Sequence, residues 1–232
     1  MINKLQTLLE EWNHQQIRYA LIRNYEFLLD AHEPPGFDLD IVVAEEDYLR
    51  IESVLISHGF IKYPQQFSLR HQGFGKYFPQ SQKKIGLDIQ VGGIHWNDIP
   101  YLAAEQVLPR RVFREFFYTL SEEDELVMYI CHSLLGKRYF KEKYKQKITE
   151  LLQKDTNIVN VQKNLTTIFN QPISQRLITA IQLGDFSALE KKSYRYATYY
   201  VIKNKKNIFQ FIKLSVRWFW QKGLLRNYPL IS

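Results

Sequence analysis

Asp38 and Asp40 lie two residues apart in Phe37-Asp38-Leu39-Asp40-Ile41-Val42-Val43, a short apolar run that reads as a β-strand. Side chains at i and i+2 of a strand share a face, so the two carboxylates project side by side while Leu39 and Ile41 pack on the other side. Adjacent carboxylates repel, and burying them is costly unless a cation or a donor sits between them. A divalent metal is the usual remedy, and carboxylate oxygens suit a hard ion such as Mg²⁺. A later run, Ile85-Gly86-Leu87-Asp88-Ile89-Gln90-Val91, repeats the pattern with one acid. Asp88 is therefore a candidate third ligand or general base.

The elements that must position these acids follow from hydrophobic spacing. Ile2, Leu5, Leu8, Leu9 and Trp12 recur at helical intervals and predict a helix over 2–13. A strand is expected over 17–22, and Pro34-Pro35-Gly36 marks 26–37 as a turn-rich connection. Tyr48, Leu49, Ile51, Val54 and Leu55 predict a helix over 45–58, stopped by Gly59. A short strand over 60–63, a hairpin or meander of 67–69 and 74–78 around Gln72-Gly73, and a strand over 84–91 ended by Gly92-Gly93 complete an α-β-β-α-β-β-β order. That order belongs to an α/β or α+β domain. Beyond about residue 100 the pattern turns helical. Ser121 is placed to cap a helix, with Asp124 reaching back to it. Leu126, Ile130, Leu134 and Leu135 line one face of that helix, and Gly136 is expected to close it. Further helices are expected over 140–152, 156–169 and 172–184. Two domains follow, an α/β domain over 1–100 and a helical domain over 101–232.

With 232 residues, 45% hydrophobic and 15% aromatic, the chain can bury a sizeable core. The single cysteine, Cys131, excludes an internal disulfide framework and fits a reducing compartment; its helical, apolar surroundings predict an inert thiol. Residues 1–16 lack the apolar run of a signal peptide, and no uncharged apolar stretch approaches the ~20 residues that span a bilayer. A cytoplasmic location is expected. Residues 1–120 hold 12 Lys and Arg against 15 Asp and Glu, whereas 121–232 hold 19 against 9, and no acid follows Glu190. Such asymmetry suits either a solvated basic face or an anionic partner. Lys206, Gln210, Lys213, Arg217 and Gln221 form one stripe of an expected helix over 204–221, with Phe209, Phe211, Ile212, Val216, Trp218, Phe219 and Trp220 around the rest. This segment, with its extension to 226, could pack on its own domain, on a partner protein or, peripherally, on an anionic membrane surface. Nucleic acid ranks behind these, because no RNA-recognition motif is visible.

The six histidines form no cluster at metal-ligand spacing. His95 follows the third-carboxylate strand and is a candidate for the cleft rim, while His132 reads as a hydrogen-bonded core histidine. His71 and Lys76, on the expected meander, could reach an anionic ligand. Lys137-Arg138 opens a basic stretch with Lys141, Lys143, Lys145 and Lys147 that reads as a solvated helix face or a phosphate path. Gly73-Phe74-Gly75-Lys76 is too short and wrongly placed for a phosphate loop.

The strand Tyr19-Ala20-Leu21-Ile22, the Arg23-Asn24 after it, Asp38-Leu39-Asp40-Ile41-Val42-Val43 and the later Leu87-Asp88-Ile89 together resemble the nucleotidyltransferase superfamily of DNA-polymerase-β type. More closely, they look like the nucleotidyltransferase-like proteins found with bacterial surface-polysaccharide and other biosynthetic genes. The similarity covers roughly residues 1–155. It implies an α+β fold, a mixed sheet flanked by helices and followed by a mainly helical C-terminal part. It implies Mg²⁺ or Mn²⁺ held by Asp38 and Asp40, with Asp88 as the third, catalytic carboxylate. The reaction implied moves a nucleoside monophosphate from an NTP to a small-molecule acceptor. Active members of the superfamily carry Gly-Ser or Gly-Gly after the first strand; here Arg23 and Asn24 occupy that place and would bind the nucleotide. Arg23 could contact phosphate through its guanidinium fork; the alternative for it is an ion pair, for instance with Glu26. The departure also admits a second implication, a nucleotidyltransferase-like module without turnover that serves a kinase-like or glycosyltransferase partner.

Overall fold

A computed structural model describes residues 2–30, 37–64, 70–79, 82–154 and 156–204, apart from the side chains of Asp30 and Phe37. The chain divides into two compact units, residues 1–128 and 129–232.

The first unit runs α1 (Ile2–His14), β1 (Tyr19–Arg23), α2 (Glu26–Asp30), β2 (Phe37–Val43), α3 (Tyr48–Ser57), β3 (Ile61–Lys62), β4 (His71–Phe78) and β5 (Lys83–Val91). It continues with β6 (Gly93–Trp96), β7 (Ile99–Ala103), α4 (Ala104–Val107), β8 (Val112–Arg114), β9 (Phe117–Thr119) and α5 (Glu122–Cys131), whose last turn crosses the boundary. Seven strands form one mixed sheet in the order β3-β4-β5-β2-β1-β9-β8, with β6 and β7 pairing apart from it. β2 runs parallel to β5, and β1 parallel to β9; the other neighbours are antiparallel. The expected α+β class with a mixed sheet and a helical C-terminal part is present.

The unit extends past residue 100, where the sequence turns helical, because β8 and β9 return to the sheet edge beside β1. The expected strand over 67–69 falls outside the described residues.

Strand alternation gives the sheet two unlike faces. Leu39, Ile41 and Val43 of β2, Ile85, Leu87, Ile89 and Val91 of β5, and Phe74 and Phe78 of β4 pack into one core with Leu5, Leu8, Leu9 and Trp12 of α1 and Ile51, Val54 and Leu55 of α3. Removing each such side chain from water contributes roughly 2 kcal/mol. Trp12 and Tyr19 meet edge to face, with centroids 5.1 Å apart. Asp47, buried before α3, accepts from the Arg18 backbone N–H (3.1 Å), Arg18 Nε (2.9 Å) and Arg50 Nη1 (3.1 Å), fixing the helix to the start of β1. α3 ends at Gly59, whose φ of 76° suits a residue without Cβ. The acids occupy the other face.

At the end of this unit, Ser121 caps α5 as expected by accepting from the Asp124 N–H (3.3 Å). The fully buried Asp124 carboxylate takes Arg110 in a fork, Nη2 at 2.7 Å and Nε at 3.1 Å.

In the second unit a π-helical turn (His132–Lys137) follows α5 and leads to α6 (Glu142–Gln153), α7 (Ile158–Ile168), α8 (Gln171–Gln182) and α9 (Phe186–Lys203). Gly136 lies within the π turn rather than closing the helix. Arg138, at φ 70°, takes the left-handed closing position, and its N–H donates to Ser133 O (2.8 Å). Asn157, Asn170 and Asp185 cap α7, α8 and α9 through the N–H groups of Asn160, Ile173 and Ala188. Cys131 is fully buried, and burial pushes its thiol far above the usual range, as an inert cysteine requires. Among the described residues no helix is long and apolar enough to cross a membrane. The amphipathic segment over 204–226 lies outside the described residues beyond Asn204.

Candidate functional site

The three predicted carboxylates lie on one sheet face. In the parallel β2/β5 ladder Asp40 stands opposite Asp88, and Asp38 stands opposite Gly86. Paired residues share a face, so Asp38, Asp40 and Asp88 project together, on the side away from the α1/α3 core. They differ in depth. Asp38 is exposed, Asp88 is about a third exposed, and Asp40 is buried at 6% exposure.

Gly86 makes room for Asp38. A Cβ there would stand 1.9 Å from Asp38 Oδ1, which is impossible without moving the carboxylate. Gly86 lies mid-strand at a close approach, one of the common reasons for a strand glycine.

Arg23 and Asn24 both come to this cluster, through local irregularity. A bulge between Leu21 and Arg23 keeps Leu21 opposite Ile41 on the core side yet sets Arg23 opposite Asp40. Arg23 Nη2 then donates to Asp40 Oδ1 at 2.7 Å, between side chains that are both largely buried. Asn24 adopts φ 60°, a conformation that Asn tolerates better than most residues. Its Nδ2 donates to Asp40 Oδ2 (2.9 Å) and to the Asp38 carbonyl (3.1 Å). Both Asp40 oxygens are thus engaged, from the last residue of β1 and the residue after it.

Even so, the Asp40 carboxyl sits above the usual range. Burial is the largest cause; Arg23 opposes it, and the negative fields of Asp88 and Asp38 add to it. Arg23 outweighs the fields of the two neighbouring acids, and it is the loss of water around Asp40 that keeps its carboxyl raised.

Around the acids stand groups that the sequence placed less well. His71 Nδ1 lies 3.5 Å from Asp88 Oδ1, and its ring meets the buried His95 edge-on at 6.2 Å. The His95 N–H donates to Gln90 Oε1 (3.0 Å). Lys76 does not join His71: five residues along β4 it points to the other face, over the Phe60 and Phe78 rings, and donates to His58 O.

Tyr63 has no counterpart in the sequence reading. Its ring lies on Gly73 and Gly75, where added Cβ atoms would stand 3.0 Å from Cδ2 and 1.6 Å from the hydroxyl. These glycines pair with Asp88 and Gly86, so the ring forms a shelf beside the acids. Lys84 Nζ lies 4.9 Å from its centroid, and the Tyr63 hydroxyl first, then the field of Asp38, raises the Lys84 ammonium. Gly73 and Gly75, read above as a failed phosphate loop, were the available signal. The remaining candidates lie in the second unit. His132 packs edge-on to Tyr144 at 5.4 Å, and Lys137 and Arg138 end the π turn.

The donor set suits a hard divalent cation in kind, because its groups are carboxylates. Among the described residues no three His, Cys, Asp or Glu side chains are gathered closely enough to hold a metal unaided. Phosphate oxygens and water would have to complete the shell, as they commonly do for Mg²⁺. No family model and no curated protein matches this chain.

Proposed function

We propose that the first unit is a nucleotidyltransferase of DNA-polymerase-β type, moving a nucleoside monophosphate from an NTP to an acceptor hydroxyl. The observation that carries this reading is the Asp40–Asp88 register across parallel β2 and β5, with Asp38 seated over Gly86 on the same face. Two strands with one intervening helix and hairpin thereby hold three carboxylates on a rigid platform, as precise transfer chemistry requires.

Asp38 and Asp40 would hold Mg²⁺, which when bound neutralises phosphate oxygens and aligns the α-phosphorus for in-line displacement. Asp88, the more accessible partner of Asp40, takes the proton as the acceptor oxygen bonds to phosphorus and the bond to the leaving pyrophosphate breaks. Arg23 and Asn24 fix the Asp40 carboxylate, and the positive charge of Arg23 would favour the triphosphate beside it. The Tyr63 ring offers the base a stacking surface.

The test is pyrophosphate release with each NTP, Mg²⁺ and candidate acceptors. The reading expects Asp88→Asn to lower turnover by at least about 10²-fold without changing the folded state. Release unchanged in Asp38→Ala and Asp88→Asn would overturn it.

A second reading has its own observation. Both Asp40 oxygens already accept hydrogen bonds, from Arg23 and Asn24. A site so satisfied could bind a nucleotide without turning it over and serve a partner enzyme. NTP binding that persists equally with and without Mg²⁺, and no pyrophosphate release, would favour it.

A further inference from the structure

The boundary after Met128 sharpens the charge asymmetry, because Glu122, Glu123, Asp124 and Glu125 fall in the first unit. Residues 1–128 hold 12 Lys and Arg against 19 Asp and Glu, a net of −7. Residues 129–232 hold 19 against 5, a net of +14.

Part of this charge forms a defined surface. After the π turn Lys137 and Tyr139 are exposed, and the guanidinium of Arg138 caps the Leu134 (2.7 Å) and Leu135 carbonyls. The same guanidinium lies 5.3 Å from the Tyr194 ring centroid on α9. The Phe140 N–H donates to Glu190 Oε1 (2.8 Å), and the Phe140 ring packs on Phe186 at 5.1 Å. These contacts dock the connection against α9, so Lys137, Arg138 and Tyr139 share a surface with Lys191, Tyr194 and Arg195. Lys191 and Arg195 are exposed. Glu190, the acid nearest to them in sequence, is turned onto the Phe140 N–H.

We propose that this surface binds single-stranded nucleic acid. Exposed cations pair with a phosphate backbone, and the exposed Tyr139 among them gives a base a stacking face that is indifferent to sequence. A membrane-lying surface would need large aliphatic or Trp and Phe side chains beside the cations; among the described residues of this surface the exposed aromatic is Tyr139. The proposal stands apart from the chemistry of the first unit, and Asp38→Ala is expected to bind nucleic acid as the wild type does.

The experiment is fluorescence anisotropy of the full chain with a labelled, mixed-sequence 20-nucleotide RNA, titrated at several KCl concentrations. Vesicles containing phosphatidylserine are tested in parallel. Three phosphate contacts, at the exposed Lys137, Lys191 and Arg195, predict a log–log salt slope of about −2. Lys191→Glu with Arg195→Glu is expected to weaken binding by at least about ten-fold and to flatten the slope. Tyr139→Ala is expected to weaken it with the slope unchanged. Circular dichroism confirms that each variant folds, and Tyr139→Ala alone carries the test if the double reversal does not. A flat salt response, RNA binding unaffected by these substitutions, or capture by vesicles without RNA binding overturns the proposal.

Discussion

In the first unit the acids of the sheet face each have an assigned neighbour. Asp40 is clasped by Arg23 and Asn24, Asp88 lies beside His71, and Asp38 sits over Gly86 within the field of Lys84. In the second unit Lys137, Lys191, Lys192 and Arg195 stand exposed along a helical surface. The sheet uses register to press like charges together and then neutralises them locally. The helical unit spreads like charges at its surface, where water screens them and a polyanion can reach them. Charge in the sheet cluster is therefore coupled to folding, whereas the exposed charge of the second unit is solvated.

The largest effect that would test this contrast is on stability. Arg23→Ala leaves the Asp40 carboxylate buried beside Asp38 and Asp88, and should cost about 3 kcal/mol in urea unfolding. Adding Asp40→Asn should return a good part of that loss, because the stranded charge goes with it. If Arg23→Ala costs nothing, the sheet face is no more charge-coupled than the helices.

Gly86→Val comes next. The new side chain must displace Asp38, so NTP-dependent stabilisation should vanish while the fold loses roughly 1–3 kcal/mol. Asp38→Ala in the same background should recover part of the stability and none of the NTP response. Recovery of both would remove Asp38 from the site.

A pH effect of intermediate size belongs to Asp124. Burial raises its folded-state pKa, with Arg110 opposing. The folded state therefore holds this proton more tightly than the unfolded chain, whose Asp titrates near ~3.9. Stability from this group is greatest below that value and falls as pH rises through it to the folded pKa. Thermal melts from acid to neutral pH should show the wild type losing this increment relative to Asp124→Asn. Parallel curves would contradict the shift.

The smallest effect should be that of Lys191→Glu, within about 0.5 kcal/mol of wild-type stability. A loss approaching that of Arg23→Ala would show that the basic surface is also part of the folding core.

Much of the site was legible because it obeys a two-residue period. Asp38, Asp40 and Asp88 announce themselves by acids at fixed positions in apolar strands, and α1 and α3 by their 3–4 spacing. Other parts depend on pairing between distant segments, which spacing does not encode. The bulge that turns Arg23 onto Asp40, and the glycines beneath Tyr63 and Asp38, make sense only once their neighbours are known. The short strands β8 and β9 were hidden within a stretch that otherwise turns helical. α9 was passed over because its buried side includes Ser193, Tyr196, Ala197 and Tyr200, small or polar residues that blur the apolar stripe.

The account turns on whether the acid-bearing sheet face takes a nucleoside triphosphate. Thermal unfolding of the full chain, with each of the four NTPs and Mg²⁺, tests this with least intervention, because a ligand that binds only the folded state raises the melting temperature. The account predicts that at least one NTP raises the wild-type midpoint by several degrees and that Asp38→Ala and Asp88→Asn abolish the rise. An equal rise in those variants, or no response to any nucleotide in the wild type, would contradict it.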